Sequence, residues 1–306
     1  MRRPSRALVG ALRVGALLAV AVPAGAVHAQ PTAPTDTALV RLAAETARRT
    51  ARYADRRAAV ADGYRRIGAD FPGMGEHWLH PGALAADTLD PGRPALLAYA
   101  TLAGRPTLLG AGFLVVTRGA AAPAVPGAPG WPAAWHEHSG LLGDESGAAV
   151  GRAHVGGTRV WVLHAWTALP NPDGAFAADN WALPFARLGL AAPAGADADA
   201  GRALSLVTGG DAYLRGVLAD AGVWPAAADG AASRALGTAR DAVAARAAGM
   251  RAAGAAGAAD VAALREVWRT LGDALAAALG PRVTPFLAPP HPVHAAHATH
   301  SPEVAR

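Results

Sequence analysis

The sequence predicts an α+β fold: a small antiparallel sheet packed with an N-terminal helix and followed by an Ala-rich C-terminal helical region. Three observations carry this expectation. Two apolar runs, 94–102 and 106–117, are separated by the short turn "AGR" and read as a β-hairpin. The stretch "TRVWVLHAWTAL" (158–169), β-branched and aromatic with turn residues at both ends, reads as a strand. Beyond residue 200, "DAYLRGVLADAGVW" and "DVAALREVWRTLGDALAAAL" carry apolar residues at helical spacing.

The elements follow in chain order. Residues 1–29 are expected to be a signal peptide rather than part of the fold. Arg2, Arg3, Arg6 and Arg13 precede the apolar run "GALLAVAVPAGA", and Val27 and Ala29 hold the small-residue positions of a cleavage site. The run is too short to span a bilayer comfortably. The mature chain is therefore expected to be periplasmic or secreted after cleavage near Ala29, with no transmembrane segment. Residues after Arg2-Arg3 fit a twin-arginine signal poorly. Segment 30–68 reads as an N-terminal helical region, one helix over 36–67 with Thr35 or Asp36 as cap. Leu39, Leu42, Ala43, Ala47, Tyr53, Val60 and Tyr64 form its apolar stripe, and Pro72 stops continuation. Segment 69–190 is the α+β core. It holds the hairpin, a Pro/Gly loop, the 158–169 strand and the turn "PNPDG" (170–174), where proline fixes φ and Asn, Asp and Gly supply turn geometry. Segment 201–282 is helical, including the Ala- and Gly-dense piece near 228–260. Segment 283–306, "VTPFLAPPHPVHAAHATHSPEVAR", reads as a disordered His-rich tail.

Charge and composition exclude several functions. The full chain has 28 basic and 23 acidic residues, a formal charge of +5, but four arginines lie in the leader. Without them the balance is 24 against 23, about +1, which is no nucleic-acid surface. There is no cysteine, so there is no disulfide, thiolate metal site, cysteine nucleophile or lipid attachment through a lipobox. Any metal must be held by His, Asp, Glu or backbone oxygen. The sequence names no protein partner.

Histidine carries the candidate chemistry. In "WHEHSG" (135–140), an extended backbone puts His136 and His138 on one face, roughly 6–7 Å apart, with Glu137 opposite. His164 shares a strand face with Val160, Val162 and Trp166. A buried imidazole there must hydrogen-bond or bind an ion. In "FPGMGEHWLHPG", His77 stands beside Glu76, a possible oxygen ligand, and His80 is a further imidazole. Four imidazoles close a tetrahedral site, whereas three plus water leave it open. Such a donor set suits a transition metal: zinc, copper, iron or nickel. Trp135, Trp161 and Trp166 are candidates for a dry shell, and Asp173 or Asp179 for orienting an imidazole. Each histidine also has a plain structural reading, as a core or loop side chain bonded to the main chain.

The motifs "ADGYRRIG", "FPGMGEHW", "WHEHSG" and "LHAWTALPNPDGAFAADNWALPF" together resemble an uncharacterised family of exported bacterial proteins over roughly residues 53–190. The resemblance implies kinship without an activity. Motif by motif it points to His77, His136, His138 and His164.

The tail places His291, His294, His297 and His300 at every third residue, one face of a polyproline II helix. Ser139 lacks the strand–elbow–helix setting of a hydrolase nucleophile. "TGGD" lacks the lysine of a phosphate loop. The sequence thus leaves three functions open: an exported metal-binding protein, a metalloenzyme with an open coordination position, or a metal-free structural or interaction module.

Overall fold

A computed structural model describes residues 37–86, 89–118, 135–138, 142–143, 149–150, 158–224 and 230–287. The fold is α+β, with the sheet between an N-terminal helical layer and a C-terminal helical region. Sequence positions in the leader, in the Pro/Gly loop, at Ser139 and in the His-rich tail beyond 287 lie outside the described residues.

The N-terminal segment departs from one continuous helix. Helix α1 (Thr37–Thr50) passes into a 3₁₀ turn (Ala51–Ala54), and α2 (Arg56–Ala61) starts afresh. The break falls at Asp55, whose extended backbone and side chain cap α2 by accepting from the Arg57 N–H. Helix ends at Gly63, where φ is +103°, and residues 65–71 are a strand. A periodic stripe through Tyr53 and Tyr64 is compatible with both arrangements, because both rings are buried either way.

The main sheet is antiparallel, with strands in the order β1-β2-β3-β4-β8-β5. These are β1 (Arg65–Phe71), β2 (Gly75–Leu79), β3 (Leu96–Leu102), β4 (Arg105–Arg118), β8 (Thr158–Ala165) and β5 (His136–His138). A separate pair joins β6 (Leu142–Gly143) to β7 (Ala149–Val150). A short helix α3 (Pro81–Ala86) follows β2. The hairpin expected at 94–117 is β3–β4, closed by Ala103 and Gly104 at φ of +48° and +74°. Positive φ at both central residues is the I′ geometry that matches strand twist, and Gly104 makes it affordable.

The two faces of the sheet bury different things. Tyr99, Leu97 and Ala111 meet Tyr53 and Tyr64 of the N-terminal segment. Phe113, Leu163 and Ala165 meet Leu39 of α1, together with Trp135. The other face carries Leu79, Leu96, Leu114, Val160 and Val162 at one end, against Ala83 of α3. At its other end are Met74, Ala98, Leu109, Trp166 and Leu183.

The helical region is α4 (Leu183–Arg187), α5 (Ala198–Ser205), α6 (Gly210–Asp220), α7 (Ala231–Ala253), α8 (Ala258–Leu279) and α9 (Thr284–Leu287). Helix α7 buries Ala232, Leu236, Ala239, Val243, Ala247 and Met250, and α8 buries Val261, Leu264, Trp268, Leu271 and Leu275. These spacings of three and four give each helix one apolar stripe. Gly254, at φ of +69°, ends α7 and lets the chain reverse. Order continues into the segment expected to be a disordered tail: Val283 and Phe286 are buried in the core of α5–α8. Two apolar side chains inside that core outweigh the polar composition around them.

Candidate functional site

Strand alternation puts His77 and His164 on the same face of the sheet. The register runs His77↔Ala98, Ala98↔Gly110 and His164↔Gly112. Two strands separate β2 from β8, so a flat sheet would hold these positions about 14 Å apart. Their ring centroids are 5.6 Å apart. The sheet curls to bring them together. A register shift between Ala98 and Tyr99 marks a bulge opposite β3, and bulges increase local twist. The intervening positions are bare: Ala98, Gly110 and Gly112. A Cβ on Gly110 would lie 2.3 Å from the Ala165 carbonyl oxygen, so only glycine fits there. Gly75, at φ of +74°, has no such room either, since its Cβ would sit 2.2 Å from the Tyr99 oxygen. That close approach fixes the start of β2 and the position of His77.

Both rings are buried, His77 at 4% exposure and His164 at 0%. Phe71 lies 4.9 Å from the His77 ring and Trp166 lies 5.1 Å from the His164 ring. His164 Nδ1 is 2.6 Å from the Ala178 carbonyl oxygen. A carbonyl only accepts, so Nδ1 carries the proton and Nε2 carries the lone pair. Burial pushes the His164 pKa down to about 4, partly opposed by that hydrogen bond, and the ring is neutral at neutral pH.

The remaining expected site residues divide. Glu76 alternates to the opposite face. There its carboxylate lies 3.6 Å from both Arg56 and Arg66 and accepts from Trp78 Nε1 at 3.2 Å. The structure does not bring it to the imidazoles. His80 is occupied in the turn before α3: Nδ1 accepts from the Ala83 N–H, Nε2 is 3.1 Å from Arg93 Nη2, and Tyr64 lies edge-on at 5.0 Å. Residues 136–138 are extended as expected, with His136 opposite Val162 and His138 opposite Val160. Those register positions belong to the face of His164; the side chains of His136 and His138 lie outside the described residues. Of the three tryptophans expected around the site, Trp166 is there. Trp135 and Trp161 pack on the helix-covered face. Among the described residues, no three His, Asp or Glu side chains are placed to hold a metal ion.

Sequence reasoning missed what surrounds Asp179. The group orienting His164 is the carbonyl of Ala178, the residue before it. Asp179 is 8% exposed, with its backbone carbonyl accepting from Asn171 Nδ2 at 2.7 Å. Burial pushes its carboxyl up to about 7, with Arg202 pulling the other way. Tyr213 is half-buried with its ring 5.7 Å from Phe71, and burial of its hydroxyl raises the phenol well above the usual range, with the Asp179 charge adding to this. Arg202 of α5 lies over the Trp181 ring at 5.1 Å. An arginine in a chain whose only cation is arginine gave no signal of its own. The faint one was "AADNW", which places an acid between small residues and tryptophan.

No protein-family model, curated protein or solved structure matches the chain. Among the described residues, no helix is long and apolar enough to cross a membrane.

Proposed function

We propose that this is an exported protein that binds a transition-metal ion, zinc, copper or iron, through a histidine cluster on the concave sheet face. His77 and His164 would be ligands, with further donors from His136 and His138 on strand β5. One observation carries the reading. His164 donates Nδ1–H to the Ala178 carbonyl, which makes Nε2 its unprotonated nitrogen, and its ring centroid lies 5.6 Å from that of the buried His77. Metal-ligating histidines are held this way, the second nitrogen fixing tautomer and ring orientation. The donor set fits such an ion, and neutral imidazole is the binding form. Export rests on the leader residues, and the motif resemblance to exported bacterial proteins agrees with it.

The test compares the untagged chain with a His77→Gln/His164→Gln variant, each incubated with zinc, copper and iron, dialysed and analysed for metal. The tail histidines are present in both, so the difference isolates the cluster. The wild type is expected to keep about one equivalent more than the variant. Equal metal contents would remove both metal readings and leave a metal-free interaction module. A metalloenzyme with an open coordination position is the second reading. Asp179 bears on it, because it adjoins Ala178, whose carbonyl holds His164, and burial pushes its carboxyl up to about 7.

A further inference from the structure

Arg202 is an arginine whose Nε–H and two Nη2–H groups, three of its five donors, go unanswered. Its side chain is 3% exposed. Nη1 is engaged, donating to the Leu287 carbonyl at 3.5 Å and lying 3.6 Å from the Asp199 carboxylate. Nε and Nη2 are buried and have no hydrogen-bond partner among the described residues. These two atoms are the side edge of the guanidinium, whose parallel N–H bonds match the two oxygens of a carboxylate or of a phosphate or sulfate. The edge is held rigidly. Trp181 lies under the guanidinium, and α5 is pressed so closely on that indole that a Cβ on Gly201 would meet Trp181 Cβ at 2.7 Å.

Leaving charged donors buried and unanswered is among the costlier defects a fold can carry, well above the loss of an ordinary hydrogen bond. We propose that the Nε/Nη2 edge of Arg202 is a binding site for a small oxyanion, a carboxylate or a tetrahedral phosphate or sulfate. The site lies where the Asp179–Trp181 loop, α5 and α9 meet. It requires no metal and does not rest on the metal reading. Asp199 and Asp197 also act on Arg202 with their charges, and Asp179 does so most strongly. Because burial holds its carboxyl protonated to about pH 7, it opposes an incoming anion less than an ordinary aspartate would.

The experiment titrates the full chain, in EDTA, with sodium formate, acetate, phosphate and sulfate against chloride at matched ionic strength. Calorimetry gives affinity, and the thermal midpoint gives linkage. Sulfate and phosphate stabilise proteins generally, so the informative quantity is the difference between wild type and Arg202→Lys, which keeps the charge and loses the two-pronged edge. The expected result is saturable binding to wild type and at least about tenfold weaker binding to R202K. Preference for formate and acetate identifies a carboxylate ligand, and preference for phosphate and sulfate a tetrahedral one. Equal shifts in both proteins, or no saturation in either, overturn the proposal and leave an ordered water on that edge. Should R202K fail to fold, the buried Nε–H signal of Arg202 in the wild type decides by NMR. A saturable shift supports the site, and a signal indifferent to all four anions sinks it.

Discussion

Replacing Asp179 by Asn removes a buried charge while keeping the shape of the side chain. An aspartate in the unfolded chain releases its proton near pH 4, whereas burial holds the folded group to about 7. Between those values the folded state binds more protons than the unfolded one, so stability falls as pH rises. The stabilisation is fully present below the unfolded pKa and is gone once pH passes the folded pKa. Each pH unit within the window is worth ~1.4 kcal/mol, which makes the whole span at most ~4 kcal/mol. His164 has the opposite sign: its pKa is lowered, so its contribution is lost as pH falls from about 6.5 towards 4. Wild-type stability alone therefore mixes two slopes, and the difference between wild type and Asp179→Asn separates them. Urea unfolding in EDTA at pH 5 and pH 7.5 should show the variant gaining ~2.5 kcal/mol relative to wild type between the two. The pull between Asp179 and Arg202 acts only where Asp179 is ionised and is already contained in its folded pKa. A difference that does not change with pH would refute the account of Asp179 as a buried, proton-holding carboxyl.

Three further outcomes follow from packing. Gly110→Ala should destabilise by ~2–4 kcal/mol in urea melts, because its Cβ would fall 2.3 Å from the Ala165 oxygen and the β4–β8 pairing must yield. Gly249→Ala should do the reverse: the position is exposed inside α7 with nothing near its Cβ, and a gain of ~0.5–1 kcal/mol in thermal unfolding is expected. Tyr64→Phe removes a buried hydroxyl that donates to the Pro94 carbonyl at 2.7 Å, and ~1–3 kcal/mol should be lost by denaturant titration, with the sheet's circular dichroism unchanged.

The parts of this fold that were legible in the sequence are those whose signal is local. The β3–β4 hairpin announces itself through two apolar runs and a glycine-containing turn. Strand β8 does so through Val160, Trp161, Val162 and Leu163, and α8 through the spacing of Val261, Leu264, Trp268, Leu271 and Leu275. Strand β1 was hidden because "RRIGADF" is neither β-branched nor cleanly alternating and continues a helical stripe through Tyr64. It becomes a strand because β2 offers it an edge and Gly63 turns the chain. The site was half legible. His77 and His164 could be singled out as histidines in apolar or shaped surroundings. Their approach depends on Gly110, Gly112 and the bulge near Tyr99, and none of these speaks of distance by itself. Glu76 shows the limit of adjacency: next to His77 in sequence, it is held by Arg56 and Arg66 on the other side of the sheet. Arg202 was invisible, since nothing in "DAGRALS" tells a buried guanidinium from a solvated one.

The curl of the sheet has a mechanical corollary. Two rings that meet only because four strands bend act as a gauge of that bend. Anything bridging them would resist flattening, and anything that relaxed the strands would pull them apart. Ligand occupancy on the concave side and backbone stiffness in β3 and β4 should therefore rise and fall together, although neither of those strands contributes a histidine.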